Sequence, residues 1–161
     1  MTVAEWHCLS VVTDYKNWAK LKTEAGYCCL LLPVALAAGE LSVALSTDKS
    51  EYASGESATF TGTFTNTSGT PCRLHSTVKS RVWTVTSGSV TTWTTSGCSL
   101  SGKPKRAKLT ATSSATTSTS WDGHRNDSSC TTGAAASPGT YVLRGTFDGV
   151  TAKPAVFHVV S

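Results

Sequence analysis

Short runs of alternating apolar and polar residues constrain the fold of this chain more than any other feature. Between residues 58 and 65, Ala, Phe, Gly and Phe alternate with four Thr. Successive side chains of a strand point to opposite faces, so this period predicts a strand with one face in a core and the other lined by threonine. Similar runs recur as far as residue 159, and Asp148-Gly149 is a strong signal for a hairpin turn. We therefore predict an all-β chain.

Composition supports the same fold class. Charged residues make up 15% of the 161 residues, whereas Gly, Ser and Thr are abundant, which disfavours long surface helices. Residues 109–120 are mostly Ser and Thr, and we predict a strand here as well because the odd-numbered residues of the segment lead on to Trp121. Seven to eight short strands at this spacing predict an antiparallel β-sandwich of immunoglobulin-like architecture over residues 39–161.

The first forty residues have a different character. Residues 26–38 form a continuous apolar run that is short for a membrane span but fits the hydrophobic region of a signal peptide, and residues 35–37 match a cleavage site. We predict that residues 1–38 are a hydrophobic signal peptide or N-terminal anchor helix, and that the protein is secreted or associated with the cell envelope. Because residues 1–20 are long and partly acidic for a leader, two points stay open: the true start and whether the segment is cleaved. Any membrane contact would run through residues 26–38.

The cysteines bear on the same question. Cleavage after residue 37 or 38 would remove Cys8, Cys28 and Cys29 and leave three cysteines in an oxidising compartment, where two are expected to pair. We predict a disulfide between Cys98 and Cys130, because each lies in a Ser/Gly-rich loop where the backbone can adapt. Whether Cys72 is free or paired outside the domain stays open.

The large side chains divide into expected core and candidate surface. The predicted core anchors are Phe60, Phe64, Trp93, Trp121, Tyr141 and Phe157. The candidate binding surface consists of Trp83 and the basic run Lys103, Lys105, Arg106 and Lys108. Exposed tryptophan can serve as an anchor for a partner, and a basic run can contact anionic polymers, although such a run is also typical of an ordinary solvated turn.

Several function classes find little support in the sequence. The net charge of +4 comes from basic residues that are mostly scattered singly, so we do not predict nucleic-acid binding. Cys72 and His75 have ligand-like spacing, but the single methionine is Met1, so a blue-copper site is not predicted, nor any other metal or cofactor. Asp122 and His124 lie in a stretch with turn composition, and we predict no enzymatic activity.

Particular residues resemble known bacterial modules. The stretches 47–49, 55–56, 60–66 and 138–141, together with Tyr52, Trp93 and Trp121, are similar to immunoglobulin-like modules related to the Bacillus intracellular proteinase inhibitor family. A closer resemblance is to small exported actinobacterial domains, on the motif formed by Cys72, Ser87-Gly88, Trp93, Cys98, Trp121 and Cys130. The resemblance implies an immunoglobulin-like fold, and no reactive-site loop can be carried over from the inhibitors.

The leading hypothesis is an exported, non-enzymatic immunoglobulin-like module that binds a protein or an envelope polymer through Thr-rich strand faces. A proteinase inhibitor is the alternative suggested by the resemblance. A structural subunit of a surface assembly, with residues 1–40 retained, is the third. The identity of the ligand and the oligomeric state are left open by the sequence.

Overall fold

The computed structural model describes residues 41–126 and 129–161. The described chain is all-β, as predicted, and contains no helix long and apolar enough to cross a membrane. The predictions for residues 1–38, including the signal or anchor segment and its cysteines, lie outside the described residues.

Thirteen strands follow one another along the described chain. They are β1 (Leu41–Thr47), β2 (Glu51–Ala53), β3 (Ala58–Asn66), β4 (Cys72–Ser76), β5 (Arg81–Ser87), β6 (Val90–Thr94), β7 (Lys105–Leu109), β8 (Ser114–Trp121), β9 (His124–Asn126), β10 (Thr132–Ala135), β11 (Gly139–Phe147), β12 (Val150–Thr151) and β13 (Ala155–Val160).

The strands form two larger sheets and two small ones. The first larger sheet has the order β1-β3-β8, and the second has the order β2-β13-β11-β5-β6 with β12 also paired to β11. The small sheets are the pairs β4-β7 and β9-β10. Every named pair is antiparallel except β2 with β13, which run parallel.

The prediction of seven to eight strands was therefore wrong, because the described chain has thirteen. The prediction that all strands are antiparallel was wrong at the edge where β2 pairs with β13. The missed strands are short: β2 and β9 have three residues, β12 has two, β10 has four, and β4 and β7 have five each. Alternation cannot be recognised over so few residues, and the parallel pairing of β2 joins segments that are far apart in the sequence.

One core joins the two larger sheets in a sandwich-like arrangement. Aromatic rings cross between the sheets, for example Phe60 of β3 with Phe157 of β13 at a centroid distance of 5.7 Å, and Phe64 of β3 with Phe147 of β11, also at 5.7 Å. Five predicted core anchors are buried, namely Phe60, Phe64, Trp121, Tyr141 and Phe157. Trp93 is only half-buried and packs one edge against Phe60.

The pair β4-β7 follows the pair β3-β8 beyond a break, at which β3 leads into β4 and β7 leads into β8. Asn66 occupies the break and is completely buried. Its side-chain amide donates to the carbonyl oxygens of Thr70 at 2.7 Å and Thr110 at 3.1 Å. These bonds satisfy backbone groups that the interrupted ladder leaves unpaired, which keeps β4 and β7 in place beyond the break.

The segment between β1 and β3 contains Asp48, Lys49, Tyr52 and Glu56, which belong to the residues that resemble the bacterial modules. Their contacts with one another are structural. The Tyr52 hydroxyl donates to a carboxylate oxygen of Asp48 at 2.7 Å, and the same oxygen accepts the Thr59 amide at 2.7 Å. Lys49 pairs with Glu56 nearby. The hydrogen bond from Tyr52 is the main cause that lowers the pKa of Asp48, whereas burial, followed by the bond to Asp48, raises the pKa of Tyr52 to about 12.

Folding is therefore expected to weaken at alkaline pH through Tyr52. Below the ordinary tyrosine pKa of about 10 the hydroxyl is protonated in both the folded and the unfolded chain. Above that value only the folded chain holds the proton, so the stabilisation is lost as the pH rises towards the folded pKa of about 12. Phenolate absorbance of the folded protein should show a component titrating near this value. The Tyr52→Phe variant should lack this component, and its persistence in the variant would contradict the assignment.

Candidate functional site

The basic run is a strand, not the loop predicted from sequence. Residues Lys105–Leu109 form β7, and its partner is β4. Alternation along β7 separates the cations. Arg106 and Lys108 are exposed on the outer face, whereas Lys105 is half-buried and lines a groove together with Lys103, which precedes the strand.

The outer face of the pair β4-β7 carries a compact cationic surface, which we call the basic patch: Arg73, His75, Arg106 and Lys108. Arg73 lies opposite Lys108 and His75 lies opposite Arg106, and all four residues are exposed. From Ser57 to Trp121 the sequence contains no Asp or Glu. Arg73 and Lys108 are directly opposed and Arg106 is on the same strand as Lys108, so positive charge is concentrated on the outer face of this strand pair.

A surface without charged side chains lies on the sheet β1-β3-β8, whose strands β3 and β8 connect to β4 and β7. The outward residues of β1, β3 and β8, which we call the hydroxyl face, are all Ser, Thr or Ala. They include the opposed pairs Thr63 with Thr116 and Thr65 with Ser114, the latter joined by a hydrogen bond of 2.9 Å between hydroxyls. This face fits the predicted threonine-lined strands, and it can exchange hydrogen bonds with a polar ligand.

The prediction of Trp83 as a surface residue was wrong. Its side chain is 3% exposed and packs edge-on against Phe147, with ring centroids 4.8 Å apart. The reason is parity along β5, where Arg81, Trp83 and Val85 face the core and the residues between them do not. Trp83 is therefore part of the core, and its small exposed fraction lines the same groove as Lys103 and Lys105.

Sequence reasoning missed Arg81, which shares the inward parity of Trp83. It is 9% exposed, and its guanidinium donates to the Thr117 hydroxyl at 2.7 Å and to the Lys103 carbonyl at 3.4 Å. Burial lowers the pKa of Arg81, and the charge of Asp148 opposes this effect. An arginine at a core position of an alternating strand is the sequence signal that could have identified it.

Cys98 and Cys130 form a disulfide, in agreement with the predicted pair. Their Cα atoms are 5.6 Å apart, and the bridge joins the loop after β6 to the loop between β9 and β10. Asn126 reinforces the connection, since its side chain donates to the Thr94 carbonyl at 2.7 Å and accepts from the Thr94 amide at 2.8 Å. A disulfide indicates an oxidising, extracytoplasmic environment.

A second groove, of about 460 Å³, lies beside this disulfide. The half-buried Trp93 lines it together with Asp122 and Arg125. Trp93 therefore has a mixed position, with one edge against the core and another part of its surface towards the groove.

Cys72 and His75 do not share a side of β4. Cys72 is buried and has no disulfide partner in the described chain, whereas His75 is exposed as part of the basic patch. Residues of opposite parity on one strand point to opposite faces, so these two side chains cannot serve one metal ion.

Comparison with known protein families gives a match to residues 29–157, which is most of the chain. The matching family is described as a family of unknown function, DUF7974. The chain belongs to this family. Membership in DUF7974 brings no activity with it, and no curated protein matches the chain.

Solved structures resemble this DUF7974 member only distantly. A β-glucosidase from Erythrobacter marinus is 10% identical with a TM-score of 0.46, and covers 81% of this chain and 17% of its own. The alkylpurine DNA glycosylase AlkC from Pseudomonas fluorescens is 15% identical with a TM-score of 0.46, and the match covers 78% of this chain and 32% of AlkC. The CARDB domain of PF1109 from Pyrococcus furiosus is 14% identical with a TM-score of 0.39, and the match covers 75% of this chain and 94% of that domain. The chain thus spans less than a third of the first two proteins, and these likenesses carry no argument about function.

Proposed function

We propose that this chain is an exported, non-enzymatic module with an immunoglobulin-like fold that binds an anionic polysaccharide of the cell envelope. The contact surface consists of the basic patch and the adjoining hydroxyl face. The observation that carries the proposal is the cluster of Arg73, Arg106 and Lys108 on the outer face of β4-β7, in a stretch of sequence without a carboxylate.

Charge complementarity explains why the polymer is anionic. Arg73, Arg106 and Lys108 bring three positive charges together on one solvent-exposed strand pair, beside His75. A ligand with repeated negative charges is attracted along the length of this pair. Because these residues are exposed, the attraction is screened by salt and should weaken as the ionic strength rises.

The hydroxyl face explains why the polymer is a polysaccharide. A flat surface of small hydroxyl side chains accepts and donates hydrogen bonds without steric obstruction. Sugar rings carry hydroxyls of the same type, and the absence of charge on this face accommodates the uncharged part of each repeating unit. Export agrees with the disulfide between Cys98 and Cys130.

Neutralising the basic patch is expected to abolish most of the binding. In the triple variant Arg73→Ser, Arg106→Ser, Lys108→Ser, affinity for polygalacturonate or dextran sulfate should fall about a hundredfold, at roughly fivefold for each cation that faces an anionic surface. The measurement is biolayer interferometry with immobilised polymer at low and at high salt. Neutral dextran, which offers only sugar hydroxyls, should bind far more weakly than the charged polymers.

The matched control is Arg125→Ser, Arg144→Ser, Lys49→Ser. It removes the same number of arginines and lysines from exposed positions outside the patch. Binding should change by no more than a few-fold, since the net charge falls equally but the patch is intact. Equal losses in the two triple variants, or tighter binding to duplex DNA than to both polymers, would count against the proposal.

The hypotheses of a proteinase inhibitor and of a subunit of a surface assembly stay predictions. Inhibition of a serine proteinase at micromolar concentration would favour the first. Oligomers of the full chain that require residues 1–40 would favour the second.

A further inference from the structure

A buried cation that has no ion-pair partner among the described residues lies beside the basic patch. Arg81 is nine-tenths buried, and within the described ranges no carboxylate forms an ion pair with it. A buried charge is costly unless it is paired and fully hydrogen-bonded. The two hydrogen bonds to Thr117 and Lys103 use only part of the five N–H donors that a guanidinium carries.

The surroundings of Arg81 form a groove of about 500 Å³, which we call the Arg81 groove. Lys103 and Lys105 lie on one side of it, and the hydroxyl-bearing residues 116–119 of β8 lie on the other. Both hydrogen-bond acceptors of Arg81 belong to these two sides, so the guanidinium is held at the wall of the groove. No Asp or Glu is among the lining residues.

The groove thus combines hydroxyl donors with three positive charges, one of which is the already oriented guanidinium of Arg81. A planar guanidinium fixed by two neighbours loses little conformational freedom when it binds an oxygen anion through paired N–H groups. The carboxylate of Asp148 acts on Arg81 only from outside ion-pair distance. Within the described residues the guanidinium therefore has hydrogen-bond partners but no ion-pair partner.

We propose that the Arg81 groove binds a single oxyanion group, a carboxylate, sulfate or phosphate, with Arg81 as the oriented donor and Lys103 and Lys105 as flanking charges. The inference rests on the proposed function in one respect, namely that the polymer held by the basic patch supplies the group. The alternation of β7 links the two surfaces, since Lys105 lines the groove while Arg106 and Lys108 belong to the basic patch.

The test is titration of the full chain with acetate, sulfate or inorganic phosphate, followed by amide chemical shifts in NMR spectra. Residues 101–105 and 116–119 should shift saturably with at least one of these anions, and the preferred anion identifies the type of group. In Arg81→Gln the affinity should fall tenfold or more, with Arg81→Lys intermediate because it keeps the charge and loses the fork. Arg144→Gln, at an exposed position, should bind as the original chain does. Absence of saturable shifts, or equal affinity in Arg81→Gln, would overturn the proposal.

A second variant keeps the test independent of folding at Arg81. The double variant Lys103→Ser, Lys105→Ser leaves the buried guanidinium in place and should weaken anion binding several-fold; unchanged affinity would contradict the proposed site. The basic-patch triple variant should bind the small anion normally while losing the polymer. If polymer binds Arg81→Gln and the original chain equally, the groove proposal fails and the proposed function stands. If the small anion binds but no polymer does, the proposed function fails and the groove proposal stands.

Discussion

Replacing Phe60 with Ala is expected to lower the free energy of unfolding by about 3–5 kcal/mol. Phe60 is completely buried, and its ring is stacked on Trp121 at a centroid distance of 5.9 Å. It also contacts Phe157 of the opposite sheet at 5.7 Å and Trp93 at 6.1 Å. The substitution therefore leaves a cavity between the two sheets, where several large rings cannot all move to fill it. Urea unfolding followed by tryptophan fluorescence measures the loss.

The matched control is Val90→Ala, which also truncates an apolar strand residue. Val90 is 52% exposed, so the expected change is within about 0.5 kcal/mol. Phe60→Leu should have an intermediate effect because it retains part of the buried volume. A loss of less than about 1 kcal/mol in Phe60→Ala would mean that the site collapses freely, which would contradict a close-packed core at this point.

The second large effect is expected from loss of the disulfide. Cys98 and Cys130 are 32 residues apart, and in the chain-entropy model a loop of this size contributes about 3–4 kcal/mol by restricting the unfolded chain. The variant Cys98→Ser, Cys130→Ser should therefore unfold at markedly lower urea concentration. The two hydrogen bonds between Asn126 and Thr94 persist in the folded variant, so the fold itself should be retained at low urea.

Reductant provides the internal control for this prediction. It should destabilise the original chain by a similar amount and leave the double variant unchanged, because the remaining described cysteine, Cys72, is buried and forms no disulfide in the described chain. Equal stability of the original chain with and without reductant would show that the bridge adds nothing to folding.

The elements that sequence predicted best are those whose alternation is long and local. In β3 the even-numbered residues are buried, as the run of Phe and Thr indicates. In β8 the odd-numbered residues face inward and end at Trp121, although Ser and Thr dominate the segment. Period two determines which face is buried even where few side chains are large, since it follows from the geometry of the strand alone.

The elements that sequence missed depend on pairing across long separations. Lys105–Leu109 has few residues that favour strands, and it becomes a strand because β4 pairs with it in register from Cys72 to Ser76. Trp83 could have been placed correctly from the parity it shares with Val85, and the same parity marks Arg81. Parity cannot predict that the guanidinium of Arg81 has the Lys103 carbonyl and the Thr117 hydroxyl as hydrogen-bond partners, because these groups come from distant parts of the chain.

The division of cations along β7 makes the length of this segment as important as its charge. A one-residue shift in a strand exchanges the sides of all its residues. Inserting one uncharged residue between Gly102 and Lys105, or deleting Pro104, would leave the basic composition unchanged. If the pairing with β4 shifted with it, Arg106 would be directed inward and Lys105 outward. Evolution of this segment should therefore tolerate exchange of lysine for arginine on the patch far more readily than a change of spacing.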